Sequence, residues 1–166
     1  MEEIIAFQGC YSLKKISIPN TVERIDRLAF SGCYNLKEIA IPNSLTNMVE
    51  MSFSGCGITS ATIPDGITSI RHHTFSRCPN LSSVVIPSSV KEIEYLAFYL
   101  CESLTSVTSL SPILPVIITD ETYGNSAFEE SGYTKATLHV PVGCKAAYEQ
   151  APYWKDFLNI MDDIQT

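Results

Sequence analysis

The sequence predicts a solenoid, in which short parallel strands stack coil upon coil, because three residue types recur with a single period. The prolines are Pro19, Pro42, Pro64 and Pro87, the phenylalanines are Phe7, Phe30, Phe53, Phe75 and Phe98, and the cysteines are Cys10, Cys33, Cys56, Cys78 and Cys101. Each series is spaced by 22 or 23 residues. A period of roughly 20 to 50 residues indicates stacked repeats whose core is shared between neighbours.

The first half of each repeat predicts a short strand. Apolar and polar residues alternate up to Pro19, and the apolar ones include the β-branched Ile16 and Ile18. This alternation is typical of strands. The proline ends the strand because it lacks a backbone donor, and turn-forming residues such as Asn20 follow it.

The second half of each repeat predicts a return path along the far side of the coil. In the first full repeat its apolar residues are Val22, Ile25, Ala29 and Phe30. Their spacing fits neither an alternating strand nor a helix long enough to be stable. We therefore expect a short second strand or an extended turn, followed by an inward-packed Ala-Phe-x-x-Cys corner. The corner phenylalanines should form a buried, stacked ladder.

The chain divides into four segments of one solenoid domain. They are a partial repeat at 1–12, regular repeats of 22–23 residues at 13–110, a divergent last repeat with an insertion at 111–141, and a cap at 142–166. In the divergent repeat, Pro112 and Pro115 replace the usual Ile-Pro pair. The last segment contains good helix formers and the single tryptophan, Trp154, and predicts a short helical C-terminal cap.

The repeat resembles a known family. Its consensus, Leu-x-x-Ile-x-Ile-Pro-x-x-Val-x-x-Ile-x-x-x-Ala-Phe-x-x-Cys-x-x-Leu, is closely similar to the BspA-like leucine-rich repeat of bacterial surface proteins. The stretch from Leu138 to Ile160 resembles the ending that such proteins often carry. The resemblance implies a right-handed leucine-rich-repeat coil, an exported or surface-displayed parent protein, and a role in adhesion or host contact. It implies no catalytic residues. His73 departs from the pattern, since the other repeats have Leu28, Met51 and Leu96 there.

The acidic composition disfavours some classes of binding partner. A net charge of −7 and a pI near 4.9 disfavour nucleic acid, which is bound by basic surfaces, and anionic membranes. The longest apolar run, 113–118, is too short to insert into a bilayer. The chain begins with acidic residues and in mid-repeat, so we expect a fragment without its signal peptide, cut from an extracellular or cell-surface protein.

The cysteine ladder predicts buried, reduced thiols. Stacked coils place equivalent Cα atoms about 4.8 Å apart, which is within disulfide range, but parallel side chains do not turn their Cβ atoms towards each other. Small, buried cysteines are ordinary core residues, and a straight ladder cannot converge on a zinc ion. Cys144 lies outside the ladder and is expected to be the most accessible.

The histidines predict no catalytic or metal site. His72 and His73 are adjacent in an extended segment and should point to opposite faces, and His139 should point outward from its strand. No spacing suggests a nucleophile beside a base, and the acidic pairs lack the ligand pattern of a calcium loop. We therefore predict that the chain is not an enzyme and binds no cofactor or metal.

The outward positions of the first strands form the predicted concave binding face. They are Lys15, Ser17, Glu38, Ala40, Ser60, Thr62, Ser83, Val85, Ser106 and Thr108. Solenoids bind partners through such extended faces. The leading hypothesis is therefore a module that adheres to an unknown protein or matrix ligand.

Two alternatives stay open at this point. A carbohydrate-binding module would need aromatic platforms, for which the candidates are Tyr95, Tyr99 and Tyr123; Tyr133 is a further aromatic residue expected at the surface. A passive spacer of a larger surface protein would need no site at all. The predicted face lacks the Trp, Tyr and Arg side chains that dominate binding hot spots, so a solvated face that binds nothing is also consistent with the sequence.

Overall fold

The computed structural model describes residues 2–4, 6–122 and 124–165. Its strands are β1 (Glu2–Ile4), β2 (Lys15–Ser17), β3 (Val22–Ile25), β4 (Glu38–Ala40), β5 (Asn47–Met48), β6 (Ser60–Thr62), β7 (Ser69–Ile70), β8 (Ser83–Ile86), β9 (Glu92–Ile93), β10 (Ser106–Ser109), β11 (Val116–Ile117), β12 (Thr137–Pro141) and β13 (Asn159–Ile164). The helices are α1 (Glu130–Lys135), α2 (Lys145–Tyr148) and a short 3-10 turn at Trp154–Asp156. The strands pair in parallel, which confirms the predicted solenoid.

Each coil contributes one strand to a front sheet and one to a back sheet. We number the coils 1 (13–35), 2 (36–57), 3 (58–80), 4 (81–103) and 5 (104–136). The front sheet contains β2 and β4, then β6, β8, β10, β12 and β13; the back sheet contains β1, β3 and β5, then β7, β9 and β11. The predicted return strand is thus present. No helix in the described parts of the chain is long and apolar enough to cross a membrane.

The corner phenylalanines form the predicted ladder. Consecutive rings lie nearly parallel, with centroids 5.0–5.6 Å apart from Phe7 to Phe128. The inner rings, such as Phe53, are fully buried, whereas Phe7 at the outer end is only half-buried. Phe128 extends the ladder into the divergent repeat, so the corner is continuous through all the coils.

The cysteine thiols satisfy backbone carbonyls of this corner. The Sγ of Cys56 donates to the Phe30 carbonyl of the preceding coil at 3.0 Å, and three other cysteines repeat the contact at 3.1–3.2 Å. The ladder cysteines from coil 1 to coil 4 are reduced and buried, as predicted. Burial raises the pKa of Cys78, and it raises the pKa of Cys101 to about 12. Cys144 is no more exposed than Cys10, since both are half-buried.

Both sheets are interrupted between coil 2 and coil 3. In the front sheet β4 is not hydrogen-bonded to β6, and in the back sheet β5 is not hydrogen-bonded to β7. The corner remains joined at the same level, because the amides of Phe53 and Gly55 donate to the carbonyls of Thr74 and Ser76 at 3.0 and 2.8 Å. We call this interruption the seam. Among the described residues, the backbone hydrogen bonds that cross the seam are therefore those of the corner, while the buried side chains of coils 2 and 3 still pack in one core.

The seam lies where the repeat is one residue shorter. Gly57 alone separates Cys56 from Ile58, whereas two residues occupy the equivalent stretch of the other coils. A Cβ atom at Gly57 would lie 2.0 Å from the carbonyl oxygen of Tyr34, so a larger residue does not fit here. We attribute the interruption to this shortening, because the missing residue removes the length that brings the following strand into register.

Two positions in the corners of coils 1 to 4 adopt the left-handed conformation. The first holds a large residue, with φ between 56° and 61° at Leu28, Met51, His73 and Leu96. The second holds glycine up to coil 2, with φ of 70–76°, but Arg77 and Leu100 follow at φ 57° and 55°. Left-handed backbone costs non-glycine residues roughly 1–2 kcal/mol each. The C-terminal corners therefore carry strain that the glycine corners avoid.

The C-terminal end is less helical than predicted. Four residues form α2 and three form the 3-10 turn, and the final β13 joins the front sheet as a strand. The Trp154 indole donates to the Pro115 carbonyl at 2.8 Å and packs against Phe128, Tyr148 and Phe157. This aromatic cluster covers the last coil and closes the core.

Candidate functional site

The predicted front-face residues lie in two aligned rows, divided by the seam. On the N-terminal side, Lys15 is opposite Glu38 and Ser17 is opposite Ala40. On the C-terminal side the first row aligns Ser60, Ser83 and Ser106, and the second aligns Thr62, Val85 and Thr108. The structure thus brings the ten residues to one face, but as a charged group and a neutral group.

The neutral group forms a flat surface rich in hydroxyls. We define the hydroxyl strip as Ser60, Thr62, Ser83, Ser106 and Thr108. Its first two residues are exposed and the other three are half-buried. Each hydroxyl can donate one hydrogen bond and accept others, so the strip offers an uncharged array of both kinds of partner.

The front sheet continues beyond the strip through β12 and β13. His139 aligns with Thr108 on one side and Met161 on the other, so it faces outward as predicted. Its Nδ1 lies 2.8 Å from Asp163 Oδ2, and Asn159 Nδ2 donates to Thr137 Oγ1 at 2.8 Å. These contacts tie the outer surfaces of the last two strands together.

The charged group borders an open cleft on coils 1 and 2. Two adjoining cavities, of about 340 and 380 Å³, share Lys15, Lys37 and Glu38 in their walls. One extends across the seam to Ser60, and the other extends to Lys14. Lys15 Nζ pairs with Glu38 Oε2 at 2.9 Å. We call the wall formed by Lys14, Lys15, Asn35, Lys37 and Glu38 the lysine cleft.

Two exposed tyrosines lie beside the lysine cleft. Tyr11 and Tyr34 are 61% and 60% exposed, and their rings stack with centroids 5.6 Å apart. A Cβ atom at Gly55 would lie 3.4 Å from the Tyr34 ring, so glycine corners let the tyrosines lie close to the next coil. The sequence analysis missed this pair. The available signal was a tyrosine directly after the corner cysteine in two successive repeats.

Three of the tyrosines expected at the surface are buried or half-buried. Tyr133 is only 9% exposed, is hydrogen-bonded to Ser126, and packs edge-on against Phe128 and Phe157, so its assignment to the surface was wrong. Burial raises the pKa of Tyr133 to about 12. Tyr95 and Tyr99 are half-buried, and Tyr123 lies outside the described residues.

Glu94 forms a polar link between coils 3 and 4 on the back of the molecule. It accepts hydrogen bonds from the Arg71 guanidinium at 2.8 Å and from the His72 amide at 2.9 Å. Burial opposes ionisation of Glu94, but these hydrogen bonds, with one from the His72 ring, hold its pKa below the ordinary value. Tyr95 stacks on the His72 ring at 5.1 Å. The cluster is a structural cross-link.

The prediction that His72 and His73 point to opposite faces was wrong. Their ring centroids lie 5.9 Å apart in an edge contact, because the segment turns at His73, where φ is 57°. Burial, and then the charges of His72 and Arg77, lower the pKa of His73. Across residues 2–4, 6–122 and 124–165, no three His, Cys, Asp or Glu side chains converge as a metal site would require.

Comparison with known families identifies the repeat type of this chain. Six copies of the BspA type leucine rich repeat region match residues 3–135. A leucine-rich repeat protein from Bacteroides ovatus is 22% identical, with a TM-score of 0.39 over 93% of this chain and 53% of its own. A leucine rich cell surface protein from Faecalibacterium prausnitzii is 18% identical, with a TM-score of 0.41 over 89% of this chain and 56% of its own.

The chain spans about half the length of these two solved structures. Among curated proteins, none matches the sequence.

Proposed function

Because this chain belongs to the BspA-type leucine-rich repeat family, we propose that it is a non-enzymatic binding module of a larger secreted or cell-surface protein. It adheres to a protein or matrix partner through its front face. The absence of a catalytic role is part of this proposal, and it is supported by a repeat architecture whose polar side chains lie in regular rows. No cofactor is needed for such a role.

The observation that carries the proposal is the hydroxyl strip. Ser60, Ser83 and Ser106 repeat one outward position on adjacent, hydrogen-bonded strands. Strands are spaced about 4.8 Å apart, so the front sheet from β6 to β13 extends roughly 19 Å along the solenoid. One side of a standard protein interface covers about 800 Å², which is more than strands of this length provide, so a partner would also contact the surface beside the strip. The rigid sheet also reduces the entropy lost when a partner binds.

The strip can be tested with a front-face variant and a matched back-face variant. The front variant is Ser60→Arg with Thr62→Arg, and the control is Thr46→Arg with Thr68→Arg; the four threonines and serines are exposed. Both variants add two positive charges. Binding to a panel of immobilised extracellular-matrix proteins is measured by surface plasmon resonance.

We expect saturable binding to a panel member, weakened at least about tenfold by the front variant and less than about twofold by the control. Equal binding by both variants would place the contact elsewhere on the molecule. Absence of any saturable partner would overturn adhesion through this module and favour a spacer role.

A further inference from the structure

We propose that the lysine cleft and the Tyr11–Tyr34 pair bind an acidic polysaccharide, a chain whose sugars carry carboxylate or sulfate groups. This site lies on coils 1 and 2, on the N-terminal side of the seam. It requires no contact with the parts of the hydroxyl strip on coils 4 and 5. It meets the strip only at Ser60, which lines one cavity, but its test variants change no residue of the strip, so the two proposals can fail separately.

Charge is the first argument. Although the chain carries a net charge of −7, three lysines line the cleft beside one acidic residue. Lys15 is paired with Glu38 at 2.9 Å, whereas Lys14 and Lys37 make no ion pair with the residues that the structure describes. A negatively charged ligand is attracted to this local excess of positive charge.

The placement of the two unpaired lysines strengthens this argument. The Lys37 amide donates to the Lys14 carbonyl at 3.2 Å, so the two residues occupy neighbouring positions on adjacent coils. Their like charges repel each other, and an anionic group between them would relieve that repulsion. An anion is therefore stabilised here more than at an isolated surface lysine.

Shape is the second argument. The two cavities share three wall residues and together extend from Lys14 on coil 1, across coil 2, to Ser60 on coil 3. The cleft is open to solvent and has wall residues on three coils. A linear chain with repeated charged groups can follow it, and the hydroxyls and the Asn35 amide at its wall can hydrogen-bond to sugar hydroxyls.

The tyrosine pair distinguishes a saccharide from a simple anion. Asn35 lines the cleft, and its side-chain amide donates to the backbone carbonyl of Tyr11 at 2.6 Å, so the backbone of Tyr11 lies at the edge of the cleft, and Tyr34 directly precedes Asn35 in the chain. The shortened repeat places Gly57 on the next coil, and no side chain there covers the Tyr34 ring. The C–H face of a sugar ring can pack on this electron-rich surface. An acidic peptide made of carboxylates would use the lysines but gain little from the rings.

Chondroitin sulfate oligosaccharide, whose sugars carry both carboxylate and sulfate, is a suitable probe for titration calorimetry. The test variant is Lys14→Gln with Lys37→Gln. The control is Lys135→Gln with Lys155→Gln, two exposed lysines far along the chain, which change the net charge equally. Dextran serves as the neutral saccharide and poly-glutamate as the acidic peptide.

We expect the cleft variant to raise the Kd for chondroitin sulfate at least about tenfold, against less than about twofold for the control, and added salt to weaken binding. Equal losses in the two variants would show only general attraction to charge. No binding by the unmodified chain, or dextran binding as tight as that of chondroitin sulfate, would also overturn the proposal.

Substitutions of the ring test the saccharide assignment separately. Tyr34→Leu should raise the Kd about fivefold, whereas Tyr34→Phe, which keeps the ring, should stay within about twofold of the unmodified chain. Thermal melts check that both variants are folded. Poly-glutamate binding as tight as that of chondroitin sulfate, with no effect of Tyr34→Leu, would replace the saccharide by an acidic peptide.

Discussion

The coils before and after the seam share one repeat but differ in everything that faces outward. Coils 1 and 2 have a two-stranded front sheet, charged outward residues and glycine corners. Coils 3 to 5 belong to a five-stranded front sheet, carry the neutral hydroxyl strip and place Arg77 and Leu100 at the corner. The inward residues hardly change, because stacking fixes them. The difference teaches that departures from the repeat set the outer surface of this solenoid.

The largest expected effect comes from cutting the corner that joins the two halves. Phe53 is fully buried and stacks on Phe30 of coil 1 and, across the seam, on Phe75 of coil 3. Phe53→Ala should therefore lower the unfolding free energy by roughly 3–5 kcal/mol. Phe7→Ala, at the half-buried outer end, should cost less. Urea unfolding followed by circular dichroism measures both. A loss below about 1 kcal/mol for Phe53→Ala would contradict the role of the ladder.

Gly57→Ala should push coil 2 away from coil 1. The added Cβ would meet the Tyr34 carbonyl at 2.0 Å, and the backbone must move to relieve this overlap, at a cost of about 1–3 kcal/mol. Gly132→Ala is the control, because its Cβ would only touch Phe128 at 3.4 Å within α1. Equal melting temperatures for the two variants would show that coil 2 can accommodate the extra atom.

Exchanging the corner residues between the two halves should shift stability in opposite directions. Arg77→Gly removes an exposed side chain from a left-handed position at φ 57° and should raise the unfolding free energy by up to about 1 kcal/mol. Gly55→Ala, at φ 70°, should lower it by about 1 kcal/mol or more. Thermal unfolding of both variants is the measurement. Destabilisation by Arg77→Gly would mean that unfolded-state entropy outweighs the relief of strain.

The smallest expected effect is a pH dependence that arises from His73 and Glu94, on the C-terminal side. The pKa of His73 is lowered in the folded chain, so the unfolded chain binds the proton first and stability falls as the pH drops below about 6.5. Glu94, whose pKa is also lowered, adds a further loss below about 4.3. His73→Leu restores the residue type of coils 1 and 4 and should flatten the upper window only. A melting temperature that drops equally in both proteins between about pH 7.5 and 5.5 would exclude His73 as the cause.

The core could be predicted from the sequence because the same apolar residues recur at equivalent positions of each repeat. Each coil presents the same inward residues, so Phe30 and Phe53 report one environment, and the alternation around Ile16 and Ile18 is sufficient to place a strand. The second strand was also predictable in position. Its residues occupy the same position within each repeat, so an assignment made in one coil applies to the others.

Features that occur once were harder to predict. The 22-residue spacing around Gly57 is visible in the sequence. Whether it interrupts the two sheets depends on the position of the following strand, which the sequence does not give. Tyr133 lies outside the repeat, so no period indicated that it packs against Phe128. The polar sequence of β13 shows no alternation that would predict a strand. The strand forms because β13 pairs with β12, which the sequence of β13 alone does not indicate.

The candidate site was predictable only in part. Outward alternation identified the ten front-face residues and their alignment. That the charged and neutral groups of this face lie on opposite sides of the seam could not be predicted, because the seam is known only from the structure. The stacking of Tyr11 on Tyr34 required the glycine corners, whose left-handed backbone brings the rings close to the next coil.

The corner thiols can also serve as built-in probes of the order in which the coils separate during unfolding. Each of the first four coils contains one corner cysteine whose Sγ is bonded to the coil before it, so a thiol reacts with an alkylating reagent only after those two coils have parted. The order in which Cys33, Cys56, Cys78 and Cys101 become alkylated therefore reports the sequence of events. Early modification of Cys78, whose bond to Phe53 crosses the seam, would show that the molecule divides in its middle. Early modification of Cys33 would show that it unravels from the end.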